Sequence, residues 1–534
     1  FLARWGSGVA LGFALGSIQL FPFLEYAGES AVLAYRREWI WTMSLPLRAA
    51  ITFLLPYYYG NPTGDDFWGP TNFNEITASV GIVPWVALPG AFVLAWSRPG
   101  TRYFATVALL AASMVYGLPW LGAALASLPP FSFAVTTRMS SFLVLSLCVL
   151  CSLGLDRLAE AAPAARRAAR AVTRVAFVVL AGLAFFFVVD GHAMTVRAGL
   201  RVPVGVQYAW FLGLLTIATV LILRLLSQTS SARWAWAGLA AVELASVLPL
   251  AVTYNPVTDA RLLYPVPAIV QHLQRGDRDY SRVAFTAHGA NAGTMFRLFE
   301  ADGYDGMTPR RLEQVADPRG SLDSLASGAF SVTADASSRM FDLLGIRHVV
   351  SAPAAERPAP HFTLRYDGAD GRIYRNERAL PRAFLVFRTR TCLEDTEAVR
   401  LIRANGIDFG REAVIAACAE APVAGPRGSV AHAEIREYRP DRVVVGVATD
   451  APGYLVLTDT WFPGWRASAN GADLQVWRAN HAFRAVWLPP GRHDVEFRYA
   501  SMPFRYGLAV SVAAAVVLLA LLVNPRRKWF GAWR

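Results

Sequence analysis

Residues 175–190 read Val-Ala-Phe-Val-Val-Leu-Ala-Gly-Leu-Ala-Phe-Phe-Phe-Val-Val-Asp, with no charge before Asp190. One such run also fits a helix buried in a large soluble core. Seven comparable segments elsewhere in the chain exclude that reading. They fall at about 5–24, 76–96, 103–122, 139–156, 207–223, 234–252 and 504–523. A helix needs about 20 apolar residues to cross ~30 Å of hydrocarbon, and interior Gly or Pro is tolerated there. The chain is 54% hydrophobic and 17% charged, against about a quarter charged in globular proteins. It reads as a polytopic α-helical membrane protein with eight spans.

The loops set the orientation. With the first span running outward, the inside segments 1–4, 97–102, 157–174, 224–233 and 524–534 carry fourteen Arg or Lys. The outside segments 25–75, 123–138 and 191–206 carry six in a longer total length. Short cytoplasmic loops are enriched in Arg and Lys, so residues 254–503 are expected outside the membrane. The net charge of +12 is spread over these inside segments. No recognition helix or basic-aromatic motif accompanies it, and nucleic acid is excluded as a partner class. The chain starts at Phe1 with no signal-peptide pattern, and is read as beginning part-way through a longer protein.

From position 254 the pattern changes to short elements broken by Gly, Pro and Asp. The expected division is a transmembrane region over 1–253, with seven helices and a long outer loop at 25–75. An α/β region at 254–427 and a β-sandwich at 428–503 follow, then a last span and basic tail at 504–534. The sandwich rests on period-two runs such as Arg442-Val-Val-Val-Gly-Val447 and Asp494-Val-Glu-Phe-Arg-Tyr499, separated by Pro-Gly and Asn-Gly turns. Cys148 and Cys151 lie within a span and read as packing residues. Cys392 and Cys418, outside, are a candidate disulfide. The eight histidines show no zinc spacing, and turn or surface positions account for His481 and His493. No nucleophile elbow or phosphate-cradling glycine loop is present.

Several stretches together resemble the YfhO family of bacterial membrane proteins. Ser17-Ile-Gln-Leu-Phe-Pro-Phe-Leu-Glu25 is similar to its Q-x-x-P-x-x-E segment. Gly60, Asn72-Phe-Asn-Glu75 and Val80-Gly-Ile82 resemble its glycine, N-x-x-E and Y-x-G run. Pro129-Pro-Phe131 through Arg138, then Gly154-Leu-Asp-Arg-Leu158, resemble P-x-F…R…G-L-D-x-L. Trp461-Phe-Pro-Gly-Trp465 and Leu488-Pro-Pro-Gly-Arg-His493 resemble Y-P-G-W and P-A-G-x-H-x-V. The resemblance spans essentially the whole chain and only the later part of the family's length. It implies a GT-C glycosyltransferase-like fold in the bacterial cytoplasmic membrane. The implied activity moves a sugar from a polyprenyl-phosphate donor to a cell-envelope glycan acceptor. The catalytic acid of that fold lies in the first outer loop, expected upstream of Phe1, and no residue here matches it.

Such a transfer needs a carboxylate for the acceptor's proton and cations for the departing phosphate. The expected topology puts Glu25, Asp65, Asp66, Glu75 and Arg138 at the outer membrane surface. Tyr57, Tyr58, Tyr59 and Trp68 stand nearby as candidate stacking platforms for sugars. Arg138 and Glu75 fall in family-like motifs at span ends. Arg138 would hold phosphate, and Glu75 would position Arg138 or a divalent metal, the one cofactor this chemistry admits. The alternative is a non-catalytic membrane scaffold or glycopolymer-binding accessory protein.

Overall fold

The computed structural model describes residues 2–30, 44–64, 66–128, 131–158, 161–197, 199, 204–227, 233–254, 257–262, 264–276, 279–286, 291–301, 303–304, 307–316, 329–330, 336–391, 394–416 and 429–523. Asp65, the Cys392–Cys418 pair and the basic tail lie outside the described residues. The chain divides into two compact units, one of Phe1–Tyr35 with Arg261–Arg534 and the other of Arg36–Ala260.

The first unit opens with α1 (Leu2–Leu15) and α2 (Ser17–Glu29). The apolar stretch bends by 75° at their junction. The second unit holds α3 (Val83–Ala95), α4 (Pro99–Val115), α5 (Ser140–Asp156), α6 (Pro163–Arg197), α7 (Val204–Ser227) and α8 (Arg233–Tyr254). The first unit resumes with α9 (Arg310–Ala316), α10 (Asp395–Arg403) and a set of β-sheets, and closes with α11 (Met502–Val523).

Among the described residues, five helices are long and apolar enough to cross a membrane: Thr136–Asp156, Pro163–Arg197, Gly205–Ser227, Arg233–Tyr254 and Met502–Val523. The bent α1–α2 pair makes a sixth if it is one span. Eight full spans were expected. The two shorter ones are α3, of 13 residues, and α4, of 17. At 1.5 Å per residue they reach only about 20 and 26 Å. The segment expected at 76–96 is shortened because Gly81 takes φ +73°, which no right-handed helix accommodates, so α3 starts after it.

The second unit's core runs through Val83 and Val86 of α3, Cys151 of α5, Ala184 of α6, Leu215 of α7 and Leu239 of α8. Within the long 25–75 stretch, residues Leu47–Phe53 form a 3₁₀ helix with Ala49, Ile51, Thr52 and Phe53 buried. Ala49 and Ile51 pack into the unit's core.

In the first unit a mixed sheet runs β1 (Arg282–Phe285), β2 (Ile346–Ser351), β4 (Gly371–Asn376), β3 (Phe362–Gly368), with only β1–β2 parallel. A four-stranded sheet orders β11 (Trp477–Ala479), β12 (Phe483–Leu488), β8 (Gly453–Thr460) and β5 (Ala383–Val386). A five-stranded sheet orders β6 (Ala431–Arg439), β7 (Arg442–Thr449), β13 (Gly491–Tyr499), β9 (Trp465–Ala469) and β10 (Ala472–Leu474). Val445, Val495 and Phe497 of the larger sheet share one core with Leu385, Leu455 and Val486 of the smaller, which makes a β-sandwich. Strand β5 lies upstream of position 428, where the sandwich was expected to begin. The opposite face of the smaller sheet is covered too, by Ala413 and Ile415. That is why β8 reads as a continuous apolar run instead of an alternating one. The β9–β10 hairpin turns on Asn470 and Gly471, φ 51° and 85°, as a two-residue turn of right-handed strands requires.

Candidate functional site

The sequence candidates that converge are Glu75 and Arg138. Residues Phe73–Ile76 form one helical turn whose N-cap, Asn72, accepts the Glu75 N–H at 3.0 Å. That cap fixes the backbone from which the Glu75 side chain projects. Residues Thr136–Met139 form a 3₁₀ turn leading directly into α5. Arg138 Nε donates to Glu75 Oε1 at 3.2 Å, and the Thr137 hydroxyl donates to Glu75 Oε2. Both carboxylate oxygens are therefore engaged. The Arg138 side chain remains 69% exposed, against 20% for Glu75.

The same unit holds an open, mostly apolar groove walled by Leu54, Tyr57, Gly81, Trp210, Phe211 and Pro249. A row of aromatic rings joins it to the pair. Tyr57 stacks on Phe73 at 6.3 Å, and Phe73 meets Tyr254 at 4.8 Å. The Tyr254 hydroxyl donates to Asn74, next to Glu75. The Tyr57 hydroxyl bonds Thr253 and the Pro249 carbonyl.

The other candidates have different duties. Tyr58 is 0% exposed and Tyr59 4%. Tyr58 packs edge-on against Tyr59 and Phe187, with Trp68 at 5.4 Å. Its enclosed ring is core and is no sugar platform, which corrects the expectation. Trp68 is half-buried and leans on Tyr59 at 4.8 Å. Asp66 Oδ1 accepts the Asn61 N–H at 2.7 Å, bracing the turn at Gly60. Glu25 stands on α2, in the other unit.

Sequence reasoning missed three residues. Nothing marks Thr137 among the threonines, because its role depends on Glu75, 62 positions away. Arg48 and Asp190 did leave a signal: each is a lone charge in an apolar stretch. They pair with each other, and the Tyr58 hydroxyl donates to Asp190 at 3.0 Å. Opposite charges at membrane depth are expected to pair in this way. Among the described residues no three His, Cys, Asp or Glu side chains are grouped to hold a metal ion. With both Glu75 oxygens engaged and no second carboxylate grouped with them among the described residues, this donor set does not fit one.

Comparison of the chain with protein-family models, curated proteins and solved structures finds no match.

Proposed function

We propose that the protein is a GT-C-type glycosyltransferase of the bacterial cytoplasmic membrane. It would move a sugar from a polyprenyl-phosphate donor to a cell-envelope glycopolymer, as the resemblance to the YfhO family implies. The supporting observation is an apolar groove linked through the Tyr57, Phe73 and Tyr254 rings to an exposed guanidinium, which a partly buried carboxylate holds in place. A prenyl-phosphate sugar is amphiphilic in the same sense: a long apolar chain ending in a charged group. On this reading the chain fills the groove and Arg138 binds the phosphate, for which a planar guanidinium is suited. The acceptor hydroxyl attacks the anomeric carbon, the bond from that carbon to the phosphate oxygen breaks, and polyprenyl phosphate departs with the bonding electrons. Arg138 neutralises the charge that develops there. Glu75 is a positioning residue; the resemblance assigns the base that takes the acceptor's proton to the first outer loop of the GT-C fold. The eight-span topology, with residues 254–503 outside the cell, belongs to the same proposal and is supported by the distribution of arginine.

The test compares Arg138→Ala and Glu75→Gln with wild type in the full gene product, at matched membrane expression, by transfer of labelled sugar to envelope glycan. Removing an electrostatic partner of the departing group costs ~3 kcal/mol, so Arg138→Ala should lose about a hundredfold or more in rate. Glu75→Gln should lose less, because the Thr137 contact survives. Near-normal transfer by both variants removes these residues from the active site. The second reading, a glycopolymer-binding scaffold, is favoured by the β-sandwich. It requires glycan binding by a wild-type protein that transfers no sugar.

A further inference from the structure

The first unit contains an open polar pocket that no step above uses, lined by Glu29, Arg310, Arg311, Gln314, Asp395 and His481 among others. His481 sits there on a tight turn. Its own φ is 67° and that of Asn480 is 45°, while Ala482 N–H bonds the Asn480 carbonyl two residues back, at 2.8 Å. The turn is tied down by the buried Asn480, whose Oδ1 accepts the Val414 N–H at 2.9 Å and whose N–H bonds the Val414 carbonyl at 2.7 Å.

The imidazole is 4% exposed and carries an unmet demand. Nε2 lies 2.8 Å from Gln314 Oε1, an acceptor, so Nε2 carries the proton and Nδ1 the lone pair. Nδ1 is buried and has no hydrogen-bond partner. Its nearest charged neighbour, Asp395 Oδ1 at 3.7 Å, is another acceptor. Burial pushes the imidazole pKa down and Asp395 pulls it up, but Arg478 and Arg311 add to burial and leave it at about 4. At neutral pH the ring is uncharged, and what Nδ1 lacks is a donor.

Three guanidiniums, Arg310, Arg311 and Arg478, meet two carboxylates, Glu29 and Asp395, at this pocket. Asp395 is shared by Arg311 and Arg478, each at 2.7 Å. Arg310 has no carboxylate partner among the described residues. Its Nη2 bonds only the Gly28 and Ser30 carbonyls at the end of α2, both at 3.3 Å. That anchorage leaves the guanidinium exposed on a rim that Glu29 also lines, with no ion pair to it. A donor-free anion such as sulfate satisfies Arg310 and leaves Nδ1 unmet; a neutral polyol does the reverse.

We propose that this pocket binds a group that is both anionic and hydroxylated, namely an acidic sugar unit bearing a carboxylate or phosphate. The anion pairs with Arg310 and a ring hydroxyl donates to His481 Nδ1. Naming the occupant a glycan unit rests on the proposed glycosyl transfer; the pairing of anion and hydroxyl does not.

The full chain in nanodiscs of neutral phosphatidylcholine is titrated with methyl glucuronide, methyl glucoside, sulfate and glycerol 3-phosphate. Methyl glucuronide should saturate near ~1 mM, as a few polar contacts allow, and at least tenfold more tightly than methyl glucoside or sulfate. Arg310→Gln should erase the preference for glucuronide over glucoside with thermal unfolding unchanged. His481→Asn, a residue that tolerates positive φ, should weaken both sugars. Glucuronide binding no tighter than glucoside, sulfate binding as tight as glucuronide, or wild-type affinity in both variants would overturn the site. Tighter binding of glycerol 3-phosphate than of glucuronide would make the occupant a lipid headgroup and overturn the sugar assignment. Arg138→Ala should leave all four affinities unchanged, so failure of the transferase reading is distinguishable from failure of this one.

Discussion

At the scale of single residues, the most demanding group in the first unit is Asp459. Its buried carboxylate is met by Arg382 at 3.0 Å, Arg484 at 3.1 Å and Arg282 at 3.2 Å, and by the Tyr438 hydroxyl at 3.1 Å. Arg484 lies 3.7 Å above the Trp465 ring, and Arg382 lies 4.5 Å above Tyr438. Trp465 thereby packs as part of the sandwich. Burial brings Arg282 and Arg484 down to about 10, so both keep their charge at neutral pH. Burial pushes the Asp459 carboxyl up, but Arg382, Arg484 and Arg282 together outweigh it and hold the group below the usual carboxylate value. Removing one partner of a buried ionic cluster typically costs about 3–5 kcal/mol, and Asp459→Asn should destabilise the unit by that order. The sign of the pH dependence follows. The contribution is fully present above the unfolded pKa of about 3.9 and is lost as pH falls through the lower folded value. Unfolding followed by tryptophan fluorescence from pH 7 to 2 should show that acid limb in wild type and not in Asp459→Asn. Equal stability of the two proteins would show that the arginines do not depend on this carboxylate.

At the scale of elements, the start of α3 shows how close approach selects residues. Glu243 of α8 accepts the Val83 N–H at 3.1 Å, a carboxylate at a helix N-terminus. Gly81 holds φ +73°, and a Cβ there would fall 2.1 Å from Glu243 Oε1. Gly154 of α5 is similar, since a Cβ on it would meet the Ala91 Cβ at 2.1 Å. Both glycines lie in stretches whose resemblance to family motifs was read from sequence, and both have a packing reason to be glycine. Gly81→Ala should cost roughly 1–3 kcal/mol, from the left-handed backbone and the clash together. Thermal unfolding in detergent would measure it, and the double variant with Glu243→Ala should recover the clash part alone. An unchanged melting temperature for Gly81→Ala would mean the turn re-forms differently.

At the scale of the whole molecule, the chain's two ends fold together. The Ile18 N–H bonds Ser511 Oγ at 2.9 Å, joining α2 to α11 across 493 positions. The helices that open and close the chain belong to the unit that also holds the β-sheets. The topology proposal makes a direct prediction for this arrangement. In a cysteine-free background, an impermeant thiol reagent should label Val430→Cys in intact cells and spare Ala164→Cys until the membrane is permeabilised. The reverse pattern would invert the orientation.

Periodicity and composition by themselves determined the element types: long apolar helices, a β-rich later half and the alternating strands of the sandwich. These follow from residues near one another in the chain, where apolar spacing directly dictates which face is buried. Pairing across the chain was decided only by tertiary structure. The strand Ala383–Val386 looks the same in sequence whether or not it joins β8. Tyr58 reads as an exposed loop aromatic until Asp190, 132 positions on, draws its hydroxyl inward. His481 reads as a turn residue until Gln314 and Asp395 close over it from two separate helices. In each case the deciding free energy is burial or hydrogen bonding to a distant partner, and no local pattern encodes that partner's position.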